Sequence, residues 1–150
     1  YGFSLDLPAD FFLAYSDSSI VWARRETPKI SQGVFISKID NRAITESQTL
    51  ALIDSIIKPH ISGPRNGSYM TIEWNASVKI ETIQAGPKSA TKIQSLWRME
   101  NDFMGGIFNV YNLHTDSSEK QVLVYTYLYA PGEKKNVLLL QLEAIINTLK

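Results

Sequence analysis

The chain has 150 residues, the length of one ordinary domain, and its 15 Lys and Arg balance 15 Asp and Glu to a formal net charge of zero. That balance argues against nucleic acid or an anionic membrane surface as the main partner, because both depend on clustered basic side chains and the longest basic run is Lys134-Lys135. Apolar residues make up 44%, too much for a disordered chain, and the absence of cysteine removes disulfide and thiolate chemistry.

Gly2 to Leu7 alternates, with Phe3, Leu5 and Leu7 on one side, which predicts a half-buried strand stopped by Pro8. Phe11 to Tyr15 and Ile20 to Arg25 read as strands around the turn Ser16-Asp17-Ser18-Ser19, and Gly33 to Ile39 as a fourth. Thr45 opens a helix predicted over Thr45–Lys58. Its spacing to Gln48 is that of a capping box, Leu50, Ile53, Ile56 and Ile57 share a face, and Pro59 marks the end. The stretch from His60 to Ser68 has loop composition. Strands resume over Tyr69 to Trp74, Val78 to Ile83, Ile93 to Met99, Ile107 to Leu113 and Val122 to Tyr129. Leu138, Leu142, Ile145, Ile146 and Leu149 then form the stripe of a helix predicted over Lys135–Leu149.

This order does not alternate as parallel βαβ units do. It predicts one α+β domain over residues 1–150, a mainly antiparallel sheet with two helices packed on it. No run approaches the roughly 20 apolar residues that a helix needs to cross a bilayer. The chain opens at Tyr1-Gly2-Phe3 with no initiator Met, which is expected of a trimmed or partial chain whose targeting segment lies upstream.

Catalytic signatures are missing from the sequence. There is no G-x-S-x-G and no Ser-x-x-Lys, and Gly105-Gly106 has neither the spacing nor the Lys of a phosphate loop. His60 and His114 lack ligand partners at short spacing apart from Asp116, which reads as turn chemistry, so no metal and no cofactor are expected. Glu100 with Asp102 and Asp6 with Asp10 are carboxylate pairs at strand ends, where solvated turns are the plainer reading. An enzyme would need Arg98, Glu100, Asp102 and His60 to converge on one pocket. The reading leans away from catalysis.

Two patterns point to binding. Tyr125, Tyr127 and Tyr129 share one face of a strand whose other face carries Val122, Val124, Thr126 and Leu128. The three tyrosines are either core beneath a helix or an exposed platform for a small ligand or glycan. The segments from His60 to Met70 and from Trp97 to Gly106 keep large side chains in irregular stretches. Those side chains either plug the end of the core or present a surface, with Arg65, Tyr69, Arg98, Asp102, Phe103 and Met104 as its residues.

The stretches Tyr1-Gly2-Phe3-Ser4-Leu5, Ser31-Gln32-Gly33, Gly63-Pro64, Gly67-Ser68-Tyr69-Met70, Leu96-Trp97, Asn101-Asp102-Phe103-Met104-Gly105-Gly106 and Tyr129-Ala130-Pro131-Gly132 run in order along the chain. With them the sequence resembles a domain-of-unknown-function family of Bacteroidetes envelope lipoproteins. Ile107 departs from the family pattern, which has proline after the paired glycine. The resemblance implies that this chain is the C-terminal part of a longer lipoprotein at the periplasmic or outer face of the envelope. Its link to the membrane would be only a lipid anchor upstream. It implies no reaction and no cofactor. At fold level the element order is similar to the PsbP-like α/β/α sandwich. The expectation is a non-enzymatic envelope domain for protein interaction or assembly, with a protein partner from the envelope; the alternative is a domain that binds a small ligand or glycan.

Overall fold

The computed structural model describes residues 2–40, 44–113 and 120–150. Eight strands are found among them: β1 (Phe12–Ser16), β2 (Ile20–Glu26), β3 (Ser31–Asp40), β4 (Tyr69–Ile72), β5 (Lys79–Ala85), β6 (Lys88–Glu100), β7 (Gly105–Leu113) and β8 (Lys120–Tyr129). Two helices accompany them, α1 (Glu46–His60) and α2 (Lys135–Asn147). The sheet is antiparallel throughout, in the order β1-β2-β3-β8-β7-β6-β4, and β5 pairs with β6 beyond the end of β4. This is the α+β class that the element order predicts.

The helices lie on opposite faces. Alternation along β8 sends Tyr125 and Tyr127 to the core under α1, with Trp22, Phe35, Ile53, Ile57, Trp97 and Phe108. It sends Val122, Val124 and Leu128 to a second core under α2, with Val34, Tyr111, Leu142, Ile145 and Ile146.

The sheet curls around α1. At one edge, the ring of Tyr15 on β1 meets the His60 ring edge-on, 4.9 Å between centroids. At the other, the buried carboxylate of Asp54 accepts hydrogen bonds from the Thr71 hydroxyl (2.6 Å) and the Ile72 backbone N–H (2.9 Å) of β4. Its second oxygen pairs with Lys58 at 2.8 Å. The Met70 N–H donates to the Ile61 carbonyl, so the outer edge of β4 is closed by the helix and the residue after it.

The capping box at Thr45 and Gln48 is formed in both directions, at 3.2 and 3.0 Å. The helix runs two residues past the predicted end. Pro59 removes a single donor from the last turn, and the Ile61 N–H still reaches the Ile57 carbonyl at 2.8 Å. α2 stops at Asn147, short of the predicted Leu149, where Thr148 turns its hydroxyl back onto the Ile145 carbonyl. Leu149 stays buried because Gly86, at φ +58°, lets the terminal backbone approach closely.

The predicted strand at Gly2 to Leu7 is not part of the sheet. Ser4 and Lys150 exchange two backbone hydrogen bonds of 3.1 Å, and the Asp6 N–H donates to Thr148. Phe3 and Leu5 pack half-buried on the α2 side. The alternation recorded one face turned to the core, which an extended segment satisfies without a strand partner.

Two stability outcomes are expected. Leu142 is 1% exposed, so Leu142→Ala should lower the unfolding free energy by about 2–5 kcal/mol in urea denaturation. Asp54→Ala leaves two buried donors of β4 without an acceptor and should lower it by about 2–4 kcal/mol in the same experiment.

Candidate functional site

α1 does not fill the trough that the sheet forms around it. Where the helix ends at His60, a cleft of about 560 Å³ remains, within the usual range of ligand sites. Its walls are the hairpin joining β2 to β3, residues 61–64, and side chains from β4, β6, β8 and the tip before β7.

The floor is set by strand register. Arg24 pairs with Gly33, which pairs with Tyr127. One step along, Glu26 pairs with Ser31, which pairs with Tyr129, and Trp97 pairs with Gly106. A Cβ on Gly33 would lie 2.1 Å from the Tyr127 ring, and one on Gly106 would lie 2.9 Å from the Trp97 indole nitrogen. Each ring therefore lies over a glycine of the neighbouring strand. Rings laid against the sheet leave space above them, where upright rings would fill it. Their polar atoms are tied down: the Trp97 indole N–H donates to the Leu128 carbonyl and the Trp22 indole N–H donates to the Tyr127 hydroxyl, both at 3.2 Å. Trp97 meets Tyr127 edge-on at 6.3 Å and Tyr129 at 6.1 Å between centroids. Met70, Met99 and Met104 line the remaining apolar wall.

Arg24 supplies charge at the rim. Its guanidinium stands 5.2 Å from the ring centroids of both Phe12 and Trp22. The Glu26 carboxylate approaches only to 3.9 Å and accepts a hydrogen bond from the Ser31 hydroxyl. Arg24 Nε is buried with no hydrogen-bond partner among the described residues.

The predicted tyrosine platform is corrected by burial. Tyr125 is 0% and Tyr127 4% exposed, so they belong to the core under α1, and Tyr125 donates its hydroxyl proton to the Met70 sulfur at 3.2 Å. Tyr129 is half-buried. What Tyr127 and Tyr129 offer is a wall of the cleft.

The second predicted surface is divided. Its two segments do lie side by side: Tyr69 pairs with Glu100, Met70 with Met99, and the Asn101 side chain donates to the Gly67 carbonyl at 3.1 Å. Phe103 is 97% exposed at the tip and Arg65 is exposed, whereas Tyr69, Arg98 and Asp102 are half-buried. Met104 turns inward onto the core and lines the cleft. Asn101 takes φ +63°, the left-handed conformation that closes the tip, and Asp102 accepts from the Phe103 N–H at 2.8 Å. Plugging and display are thus split between adjacent residues, Met104 and Phe103.

Arg98, Glu100, Asp102 and His60 are not among the residues that line the cleft. Arg98 pairs with Glu100 at 2.5 Å and with Glu73 at 3.7 Å. A ring nitrogen of His60 is 2.8 Å from the Ile56 carbonyl, and the ring packs against Tyr15 and Phe35. His114 and Asp116 lie outside the described residues. Among the described residues no group of three or more His, Asp or Glu side chains is placed to hold a metal ion. No helix there is long and apolar enough to cross a membrane.

Ile61 and Met70 fall in the segment that the sequence marks, but the cleft residues Arg24 and Glu26 are not marked by it. Nothing local marks them, since they meet the rest of the cleft only through the curl of the sheet and the pairing of strands distant in the chain.

A curled antiparallel sheet holding one helix in its trough and backed by a second is an α+β architecture with a cleft at one end of the trough. The chain belongs to the family described as Domain of unknown function (DUF4837), whose profile matches residues 1–148. No curated protein matches it. A crystal structure from Bacteroides thetaiotaomicron VPI-5482 has a similar fold, with a TM-score of 0.54 at 10% identity over 99% of this chain. The match spans 44% of that protein, so this chain corresponds to less than half its length.

The buried tyrosines set an alkaline limit. Burial pushes the hydroxyls of Tyr111, Tyr125 and Tyr127 well above the ordinary 10.0. Their neutral forms are favoured in the folded state, so their contribution to stability is fully present below the unfolded pKa. It is lost as pH rises beyond that value, where the unfolded chain ionises first. Tyrosinate absorbance for these three should appear together with the loss of far-ultraviolet circular dichroism, while exposed tyrosines titrate in the folded protein.

Proposed function

We propose that the domain is a non-enzymatic binding module of a cell-envelope lipoprotein, and that its recognition surface for a protein partner is the tip between β6 and β7 with the adjoining segment 61–68. The observation that carries this reading is Phe103. A large aromatic ring stands almost fully in solvent on a short tip braced by Asn101 to Gly67 and by Asp102 to its own backbone. A braced aromatic of this kind loses little conformational freedom on contact and suits the centre of a small interface. Asp102 precedes it in the chain, and exposed Arg65 lies on the adjoining segment that the Asn101–Gly67 hydrogen bond ties to the tip. The neutral net charge fits a protein partner better than a polyanion. The envelope location and the lipid anchor upstream rest on the family resemblance, and a structural neighbour from a Bacteroides species is compatible with them.

A photo-crosslinking residue at position 103 should give a discrete adduct with one envelope protein in intact cells. Phe103→Ala should weaken binding of that partner about tenfold or more while changing stability by less than about 0.5 kcal/mol. A diffuse adduct ladder, or full binding by Phe103→Ala, would remove the tip as the recognition site.

A further inference from the structure

We propose that the cleft at the open end of the trough binds a single-chain amphiphile with a carboxylate head, the head meeting Arg24 and the apolar body lying over Trp97 and Tyr127. This goes beyond the interaction reading, which rests on the exposed Phe103 side chain; residues 61–64 and Met104 border both surfaces.

Three features converge on this ligand chemistry. First, the space is built into the fold. Gly33 and Gly106 each leave a hollow for an aromatic ring of the neighbouring strand, and both rings are hydrogen-bonded in place, so about 560 Å³ stays unfilled above a rigid apolar floor. Gly63 adds to the wall, since a Cβ there would lie 2.9 Å from the Met99 sulfur. Three methionines give that wall the adaptable, polarisable surface that suits a flexible hydrocarbon.

Second, donors are left over at the rim. Arg24 is held between two aromatic rings, its Nε has no partner, and Glu26 is too distant at 3.9 Å for a hydrogen bond. Tyr127 accepts from Trp22, and its own hydroxyl proton has no acceptor among the described residues. Burial pushes the pKa of that hydroxyl well above its ordinary value, so it stays protonated and remains a donor at neutral pH.

Third, the sign of the charge fits. Of the two cations that line the cleft, Lys29 pairs with Glu133 at 3.6 Å, which leaves the Arg24 guanidinium, with Glu26 no nearer than 3.9 Å, as the cation that faces a head group. A carboxylate matches the guanidinium fork and accepts from the tyrosine, whereas a cationic head would leave those donors unmet.

The test titrates dodecanoate, decanol and dodecyltrimethylammonium into the protein, followed by calorimetry and by the tryptophan emission to which Trp97 contributes. One-site, saturable binding of dodecanoate is expected, with dodecyltrimethylammonium at least tenfold weaker. Arg24→Met should weaken dodecanoate by about tenfold, the loss of one charge-assisted contact, and leave decanol unchanged. Arg24 also braces Phe12 and Trp22, so Met104→Trp serves as a second variant. It fills the mouth from a half-buried position and should abolish binding of both dodecanoate and decanol. Phe103→Ala should leave the titration unaltered, which separates this site from the tip. Absence of saturable binding, equal affinity for the cationic detergent, or dodecanoate affinity unchanged in both variants would overturn the proposal. So would binding to phosphatidylglycerol vesicles with none to monomeric dodecanoate, since the affinity would then belong to a membrane surface.

Discussion

The structure depends on α1 lying inside a curled sheet and being held from both edges. Asp54 is the clearest expression of this constraint. A carboxylate buried in the core is costly unless its lone pairs are occupied, and here a hydroxyl, a backbone N–H and a lysine occupy them. The two donors from β4 face outward from the sheet and have no strand to pair with. One side chain therefore satisfies an edge, anchors a helix and draws the sheet around it. On the opposite flank His60 packs against Tyr15 and Phe35, so strands at the two ends of the sheet touch the same helix.

The cleft follows from that arrangement. A trough formed by strands as long as β3, β6 and β8 is longer than the helix seated in it, and α1 finishes at His60 before reaching its end. Beyond this point the concave side is covered only by residues 61–64 and by methionines. Larger side chains standing upright would close the space. Glycines paired with the aromatic positions let the rings lie down. The resulting cavity has its polar atoms at the rim and its apolar surface on the floor, the distribution an amphiphile requires.

Charged side chains in the buried and half-buried parts of the sheet are engaged in structure. Arg98 lies between Glu73 and Glu100, and buried Lys92 lies between Glu81 of β5 and Glu143 of α2, tying the second helix to the sheet. Among the described residues Phe103, 97% exposed, is the most exposed large hydrophobic side chain, and its neighbour Met104 faces the other way. Alternation at a tight tip explains the division. A site reading that treats neighbouring residues as one patch misses it.

The sequence by itself determined the elements. Periodicity two and the turn residues located the strands, the Thr45–Gln48 box identified the N-cap of α1, and the aliphatic stripe identified α2, because these signals act over a few residues. The α+β class followed from element order alone. Tertiary structure decided everything that depends on which strands meet. Tyr125, Tyr127 and Tyr129 share a face in any register, but only the pairing of β8 between β3 and β7 buries the first two and leaves the third at a cleft. Gly2 to Leu7 carries a strand's alternation and remains outside the sheet for want of a partner strand. Arg24 became a candidate ligand only when Gly33 came to lie between it and Tyr127. Local propensity has no term for such meetings, since they are set by long-range pairing and by the curl that a single helix imposes.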